Sequence, residues 1–145
     1  MIKYSLNKEF PEDFVNDTNK NLVVFTNSDG LFLDKHQHRF IKAYPKVYNK
    51  ILKDIIERNF NYFGYNRYEE NGISIITFNC VGKTFGEKAD NEEDILIAFE
   101  YILSDISKDF INNQFVSGKF PNNIIWEKML KNIRESELNW EVLCD

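Results

Sequence analysis

Two cysteines in 145 residues, Cys80 and Cys144, are too few to staple a small secreted scaffold. They read as reduced thiols of a cytoplasmic protein. With only 3 prolines and 6 glycines the chain has no linker-like stretch, and no tract is repeated or of low complexity. No apolar run approaches the roughly 20 residues that span a bilayer, and the N-terminus does not have the pattern of a signal peptide. A basic excess is missing as well. The net charge is −5, and lysines alternate with acids, as in Lys50, Lys53, Asp54, Glu57 and Arg58. Nucleic-acid binders draw most of their non-specific affinity from counterion release at a basic patch, so that class is disfavoured. Alanine is scarce (Ala43, Ala89 and Ala98) while Asn, Ile, Lys and Phe abound. The favoured residues have AT-rich codons, which points to an AT-rich genome such as that of many bacteriophages or low-GC bacteria.

What is present is enough for one packed core. Hydrophobic residues make up 43% and aromatics 15%, with 13 Phe and 7 Tyr, richer than a disordered chain. The length suits a single domain over residues 1–145. Met1 to Leu6 reads as a short strand, followed by a polar stretch from Asn7 to Asn19 with Pro11 inside it. Asn21-Leu-Val-Val-Phe-Thr-Asn27 holds a nearly continuous apolar run and closes on the turn signal Ser28-Asp29-Gly30, the pattern of a strand buried on both faces. Phe40, Ile41, Tyr44, Val47, Tyr48, Ile51, Leu52, Ile55 and Ile56 recur at helical spacing, with Pro45 predicting a break or kink.

Phe60 to Tyr68 and Ile73 to Phe78 read as two strands around Glu70-Asn71-Gly72, since Asn-Gly supplies the positive φ angles of a tight hairpin. A charged, glycine-containing loop, Val81 to Asp90, leads to a helix whose buried stripe runs from Ile95 to Ile106. Its acidic start, Glu92 to Asp94, complements the helix dipole. Ile111 to Val116 is a strand, Asn122 or Asn123 caps a last helix with Trp126, Met129, Leu130 and Ile133 inside, and Trp140 to Leu143 is the final strand. The order β-β-α-β-β-α-β-α-β predicts an α/β fold, a three-layer α/β/α sandwich with a mixed central sheet.

Several motifs carry chemistry only on paper. Gly82-Lys83-Thr84 has the ending of a phosphate-binding P-loop, but Thr77 stands where that motif needs its first glycine. His36 and His38, near Asp29 and Asp34, lie two apart and share no helix face, so a solvated turn is preferred over a metal site. Cys80 has no evident base and reads as a buried thiol. The aromatics Phe60, Tyr62, Phe63, Tyr65 and Tyr68 are read as core in preference to a base-stacking or partner-gripping surface. No acid–base pair or nucleophile with an orienting partner is visible, so no catalytic residue and no cofactor are assigned. The loop Thr26 to Gly30 is different. It leaves the C-terminal end of a central strand, the crevice where open α/β sheets bind ligands, and its Asn and Asp can hydrogen-bond a ribose, unless it is a plain Asx turn.

From this loop onward the chain resembles the macro domain family, whose members bind ADP-ribose and in some cases hydrolyse its derivatives. The resemblance rests on the strand ending at Asn27, on the helix Phe40-Ile-Lys-Ala-Tyr-Pro45-Lys-Val-Tyr48, and on the order of the later elements through Ile125-Trp126-Glu127. It implies a ligand site at Asn27, Ser28, Asp29, Gly30, Ser117 and Gly118. Asn27 would meet the ribose, and the Ser28–Gly30 and Ser117–Lys119 loops would surround the phosphates. The glycine-rich loops of that family are reduced here to one glycine each, and bulky side chains obstruct close backbone approach to a diphosphate. The expected function is a non-catalytic binding module with an eroded ADP-ribose or nucleotide site, acting on a host protein if the source is a phage. The alternatives are a working binder of an ADP-ribose-like nucleotide, or an ADP-ribosyl hydrolase with Asp29 as base. Cytoplasm, or host cytoplasm, is the expected location.

Overall fold

A computed structural model describes residues 1–6, 18–27, 37–61, 63–82, 92–109 and 114–143. Six strands form one sheet: β1 (Ile2–Ser5), β2 (Asn21–Asn27), β3 (Tyr65–Glu70), β4 (Ile73–Val81), β5 (Gln114–Ser117) and β6 (Asn139–Leu143). Their spatial order is β1-β6-β5-β2-β4-β3. All neighbours are parallel except β3 and β4, which make an antiparallel hairpin at one edge. Helices α1 (Gln37–Ala43) and α2 (Pro45–Ile56) cover one face, and α3 (Glu92–Asp109) and α4 (Asn123–Glu135) cover the other. The three-layer arrangement with a mixed sheet is therefore the one the element order implies. No helix among the described residues is long and apolar enough to cross a membrane.

The period-2 geometry of strands sorts the core into two halves. Val23 and Phe25 of β2 join Ile76, Phe78 and Cys80 of β4 against α3 and α4, while Leu22 and Val24 join Ile73 and Ile75 against α1 and α2. Every residue of β2 is buried, which explains its unbroken apolar run. On the α3/α4 side the core is aromatic. Phe115 stacks on Trp140 at 5.5 Å, and Phe25 makes edge contacts with Phe78, Phe120 and Trp126.

Pro45 splits the long apolar stripe into two helices, as a residue without an N–H must. It takes a first-turn position of α2, where no donor is needed, and Tyr44 at the cap contributes no side-chain bond. The cap comes from across the fold, where Glu70 of β3 accepts from the Val47 N–H at 2.9 Å. Helix α4 is capped locally. The Asn122 carboxamide oxygen accepts from the Ile125 N–H at 3.0 Å. Asn122→Ala is expected to cost about 1 kcal/mol, readable as a lower denaturation midpoint with an unchanged slope, while Asn122→Asp retains the cap.

The hairpin turn is as the Asn-Gly pair requires, with φ of 54° at Asn71 and 80° at Gly72. The strand preceding it needs correction. An extended strand over Phe60 to Tyr68 is not formed; β3 begins only at Tyr65 and runs on to Glu70. Arg58 (φ 61°) and Phe63 (φ 53°) take left-handed conformations that turn the chain before it can enter the sheet. The aromatics of this segment are split between both layers. Phe63 and Tyr65 pack toward α3, and Phe60 and Tyr68 toward α2. The two tyrosine hydroxyls are held by carboxylates, Tyr65 by Asp109 and Tyr68 by Asp54, each at 2.7 Å. Burial first, and then the hydrogen bond to the acid, push the Tyr65 phenol up to about 12 and the Tyr68 phenol higher still, so both stay neutral. Tyr62 lies outside the described residues.

Candidate ligand site

Parallel strands β2, β4, β5 and β6 all point their C-terminal ends the same way, and β2 lies centrally between β4 and β5. Asn27 ends β2 and is 0% exposed. It sits just past an irregularity in the ladder: Phe25 pairs with Phe78, yet Asn27 pairs with Val81, so β4 carries one extra residue opposite Thr26. Such bulges bend a strand and re-aim its side chains, and they concentrate beside functional sites.

The polar groups at this bulge form a network that runs from the buried Thr26 and Asn79 out to the exposed Asn61 and Asn59. The Thr26 hydroxyl donates to Asn79 Oδ1 at 2.6 Å, and both side chains are buried. Asn79 Nδ2 donates to the Asn61 carbonyl at 2.8 Å and to Asn66 Oδ1 at 3.0 Å. Asn66 Oδ1 also accepts from the Asn61 N–H at 2.9 Å, and its Nδ2 donates to the Asn59 carbonyl at 3.2 Å. These bonds tie Asn59 and Asn61 through Asn66 and Asn79 to the C-terminal ends of β4 and β2. Sequence reasoning does not single out Asn79, Asn66 or Asn61. The one signal available is an asparagine in the otherwise apolar end of the run Ile73 to Val81.

One strand away, Ser117 ends β5 and Gly118 follows it, and both are buried. The Ser117 hydroxyl accepts from Trp140 Nε1 at 2.9 Å and donates to the Gly118 carbonyl at 2.8 Å. Its bonds are thus directed inward and fix the Trp140 indole in the core. The chain then passes through Phe120, packed edge-on against Phe25 at 5.5 Å, to the N-terminus of α4. The structure therefore places Asn27 and Ser117 at the ends of neighbouring strands with Gly118 just after, but Val116 lies opposite Leu22, so β5 ends short of Asn27. Ser28, Asp29 and Gly30 lie outside the described residues.

Other sequence motifs fall away from this edge or out of view. Cys80 is fully buried within β4, as a structural thiol would be. His38 belongs to α1, and His36, Lys83, Thr84 and Cys144 lie outside the described residues. Glu92 of the acidic helix start pairs with Lys128 of α4. Among the described residues no three His, Cys, Asp or Glu side chains converge as a metal site. A hollow of about 210 Å³ opens at the opposite, N-terminal end of the strands, beside Lys3, Lys20 and Glu141. There the buried Glu141 carboxylate accepts from Ser5 at 2.7 Å and Lys20 at 2.9 Å.

A six-stranded mixed sheet in this order with helices on both faces is the macro-domain fold. Solved structures agree. The chain is similar to the macrodomain of Thermus aquaticus DarG, with a TM-score of 0.73 and 12% identity over 100% of this chain and 98% of that one. It is similar to a macrodomain protein from Streptomyces coelicolor, with a TM-score of 0.68 and 12% identity over 100% and 99%. Thermosipho africanus DarTG, solved in complex with ADP-ribose, matches with a TM-score of 0.69 and 14% identity over 97% of this chain and 41% of that longer one. No family model matches the sequence, and no curated protein is similar to it at the level of sequence.

Proposed function

We propose that the protein is a non-catalytic binding module that takes an ADP-ribose-like nucleotide at the C-terminal ends of β2 and β5. The observation that carries this reading is Asn27, a buried carboxamide at the end of the central parallel strand, beside the bulge of β4. It sits in a fold whose Thermosipho relative was solved with ADP-ribose. A carboxamide offers both a donor and an acceptor, which suits the hydroxyls of a ribose. The Ser28–Gly30 and Ser117–Lys119 segments supply the remaining contacts, chiefly backbone N–H groups to phosphate oxygens.

A thermal-shift titration with ADP-ribose tests this. A ligand present at about 100 times its dissociation constant adds roughly 2.7 kcal/mol to a folded state that alone binds it. The expected result is a rise of several degrees in Tm, lost in Asn27→Ala. The absence of any shift with ADP-ribose, NAD and cyclic ADP-ribose isomers removes the reading.

A second reading is favoured by Ser117, whose hydroxyl serves Trp140 and Gly118. With one glycine in each loop, the nucleotide site is eroded and the module holds a protein instead, a host protein if the source is a phage. The same titration separates the two, because only the first predicts a shift that depends on Asn27.

A further inference from the structure

The extra residue of β4 changes what stands beside Asn27. Counting on from the Phe25–Phe78 pair, an unbroken ladder would set Asn27 opposite Cys80, yet it lies opposite Val81. The packing shows the same break. Side chains alternate between faces along a strand, but the consecutive residues Cys80 and Val81 both pack toward α3 and α4. At this step Thr26 and Asn79 meet through the 2.6 Å bond from hydroxyl to carboxamide. The Asn79 N–H is turned to the other neighbour, the Gly64 carbonyl, at 2.8 Å. A bulge disrupts the backbone ladder locally, and here a side-chain bond clamps the two strands where the ladder is irregular.

Burial does not ask for this pair. Both side chains are buried, and two apolar ones would fill the same space with no desolvation to offset. What a satisfied polar pair adds is direction. The Asn79 oxygen is taken by Thr26, and its amide nitrogen donates to Asn61 and to Asn66. Asn66 is held in turn by the Asn59 carbonyl and the Asn61 N–H. Neighbouring side chains of one strand leave on opposite faces, so fixing the orientation of Thr26 also fixes that of Asn27.

We propose that Thr26, Asn79 and Asn66 are positioning residues of the ligand site. Their bonds clamp β2 to β4 at the register shift and so aim the Asn27 carboxamide at the ribose of the nucleotide. None of the three is a ligand contact. This rests on the reading of Asn27 given above, but the aim of Asn27 can be measured without any ligand.

Calorimetric titration of the whole protein with ADP-ribose, together with NMR spectra of the free protein, tests this. The Asn27 carboxamide signals are identified by their loss in Asn27→Ala. Thr26→Val keeps the side-chain shape and removes the donor, whereas Thr26→Ser keeps the donor. Asn66→Ala removes an acceptor two hydrogen bonds away from Thr26, at a half-buried position. Thermal melts verify that each variant folds. Thr26→Val and Asn66→Ala are expected to weaken binding at least about tenfold, equivalent to roughly 1.4 kcal/mol, and Thr26→Ser by no more than about threefold. Both weakened variants are also expected to shift the Asn27 signals. Ile133→Val, which loosens the core near the far end of α4, is expected to change neither readout. The proposal is overturned if Asn66→Ala leaves the Asn27 signals in place, if Thr26→Ser binds no better than Thr26→Val, or if Ile133→Val weakens binding as much. A parent that binds no ADP-ribose overturns the nucleotide reading instead, and the Asn27 signals in Asn66→Ala then decide the positioning by themselves.

Discussion

Phe25→Ala is expected to lower the free energy of unfolding by about 3–5 kcal/mol, a large share of the roughly 5–15 kcal/mol that holds a domain folded. Phe25 is 1% exposed on the central strand. Its ring centroid lies 6.0 Å from Phe78 of β4, 6.4 Å from Phe99 of α3, 5.5 Å from Phe120 after β5, and 6.0 Å from Trp126 of α4. Removing it opens a cavity bordered by four separate segments, and rigid rings in rotamer minima cannot all collapse into it. Phe25→Leu keeps most of the volume and is expected to cost about 1.5 kcal/mol or less. Tyr101→Ala, at an exposed site, is expected to stay within about 0.5 kcal/mol of the parent. Urea denaturation midpoints with constant slopes read all three. A Phe25→Ala loss near that of Tyr101→Ala would contradict the packing described.

The second large effect comes from one atom exchanged at the bulge. In Asn79→Asp the amide nitrogen that donates to the Asn61 carbonyl and to Asn66 Oδ1 becomes an oxygen facing two acceptors. Asn66 cannot simply flip, because its Oδ1 also accepts from the Asn61 N–H. At a site 1% exposed, the carboxylate loses two bonds and gains repulsion, for an expected cost of about 3 kcal/mol at neutral pH.

The new carboxyl is held above its unfolded value, since burial and two facing acceptors both oppose the charge. Once protonated, that carboxyl can donate one of the lost bonds. The sign follows: the folded state holds its proton more tightly than the unfolded chain. The variant's deficit is thus smallest below about pH 4 and deepens by up to roughly 1.4 kcal/mol per pH unit as the pH rises toward the folded value. Denaturation of variant and parent at pH 4 and pH 7 measures this. A deficit that does not change with pH would mean that the side chain has escaped to water and that the network does not hold the turn.

The sequence is most readable where burial is symmetric or where backbone chemistry is demanding. The bounds of β2 can be read to the residue because Leu22 to Phe25 are apolar on both faces and Asn27 precedes a turn signal. Asn71-Gly72 announces its own positive φ angles. The stripe of α3 and the cap of α4 are similarly plain. The segment from Phe60 to Gly64 misleads, because aromatic density looks like strand propensity. Nothing in Arg58 or Phe63 announces a left-handed residue, and side-chain bonds from Asn61 and Asn66 decide the local path.

The site divides along similar lines. Asn27 is visible as a polar residue closing an apolar strand. The bulge, the pairing of Thr26 with Asn79 and the inward commitment of Ser117 are not. Each depends on the register between strands far apart in sequence, and no local pattern encodes that register.

The strand pairing also bears on how the chain is made. Of the six strands β1 leaves the ribosome first, yet its ladder partner is β6, with Ile2 opposite Trp140 and Ser5 opposite Leu143. β2 in turn waits for β4 and then for β5. A nascent chain therefore carries β2, a strand buried along its whole length, without its final neighbours until most of the sheet has been synthesised. Among the described residues the hairpin β3–β4 is the one local pairing of the sheet, and it offers β4 as the first template for β2. Premature termination before Asn139 would leave β5 as a raw sheet edge and β1 without its ladder partner, the kind of surface that recruits other chains. Synthesis of this protein should accordingly depend on translation running through to β6 more than its modest size suggests.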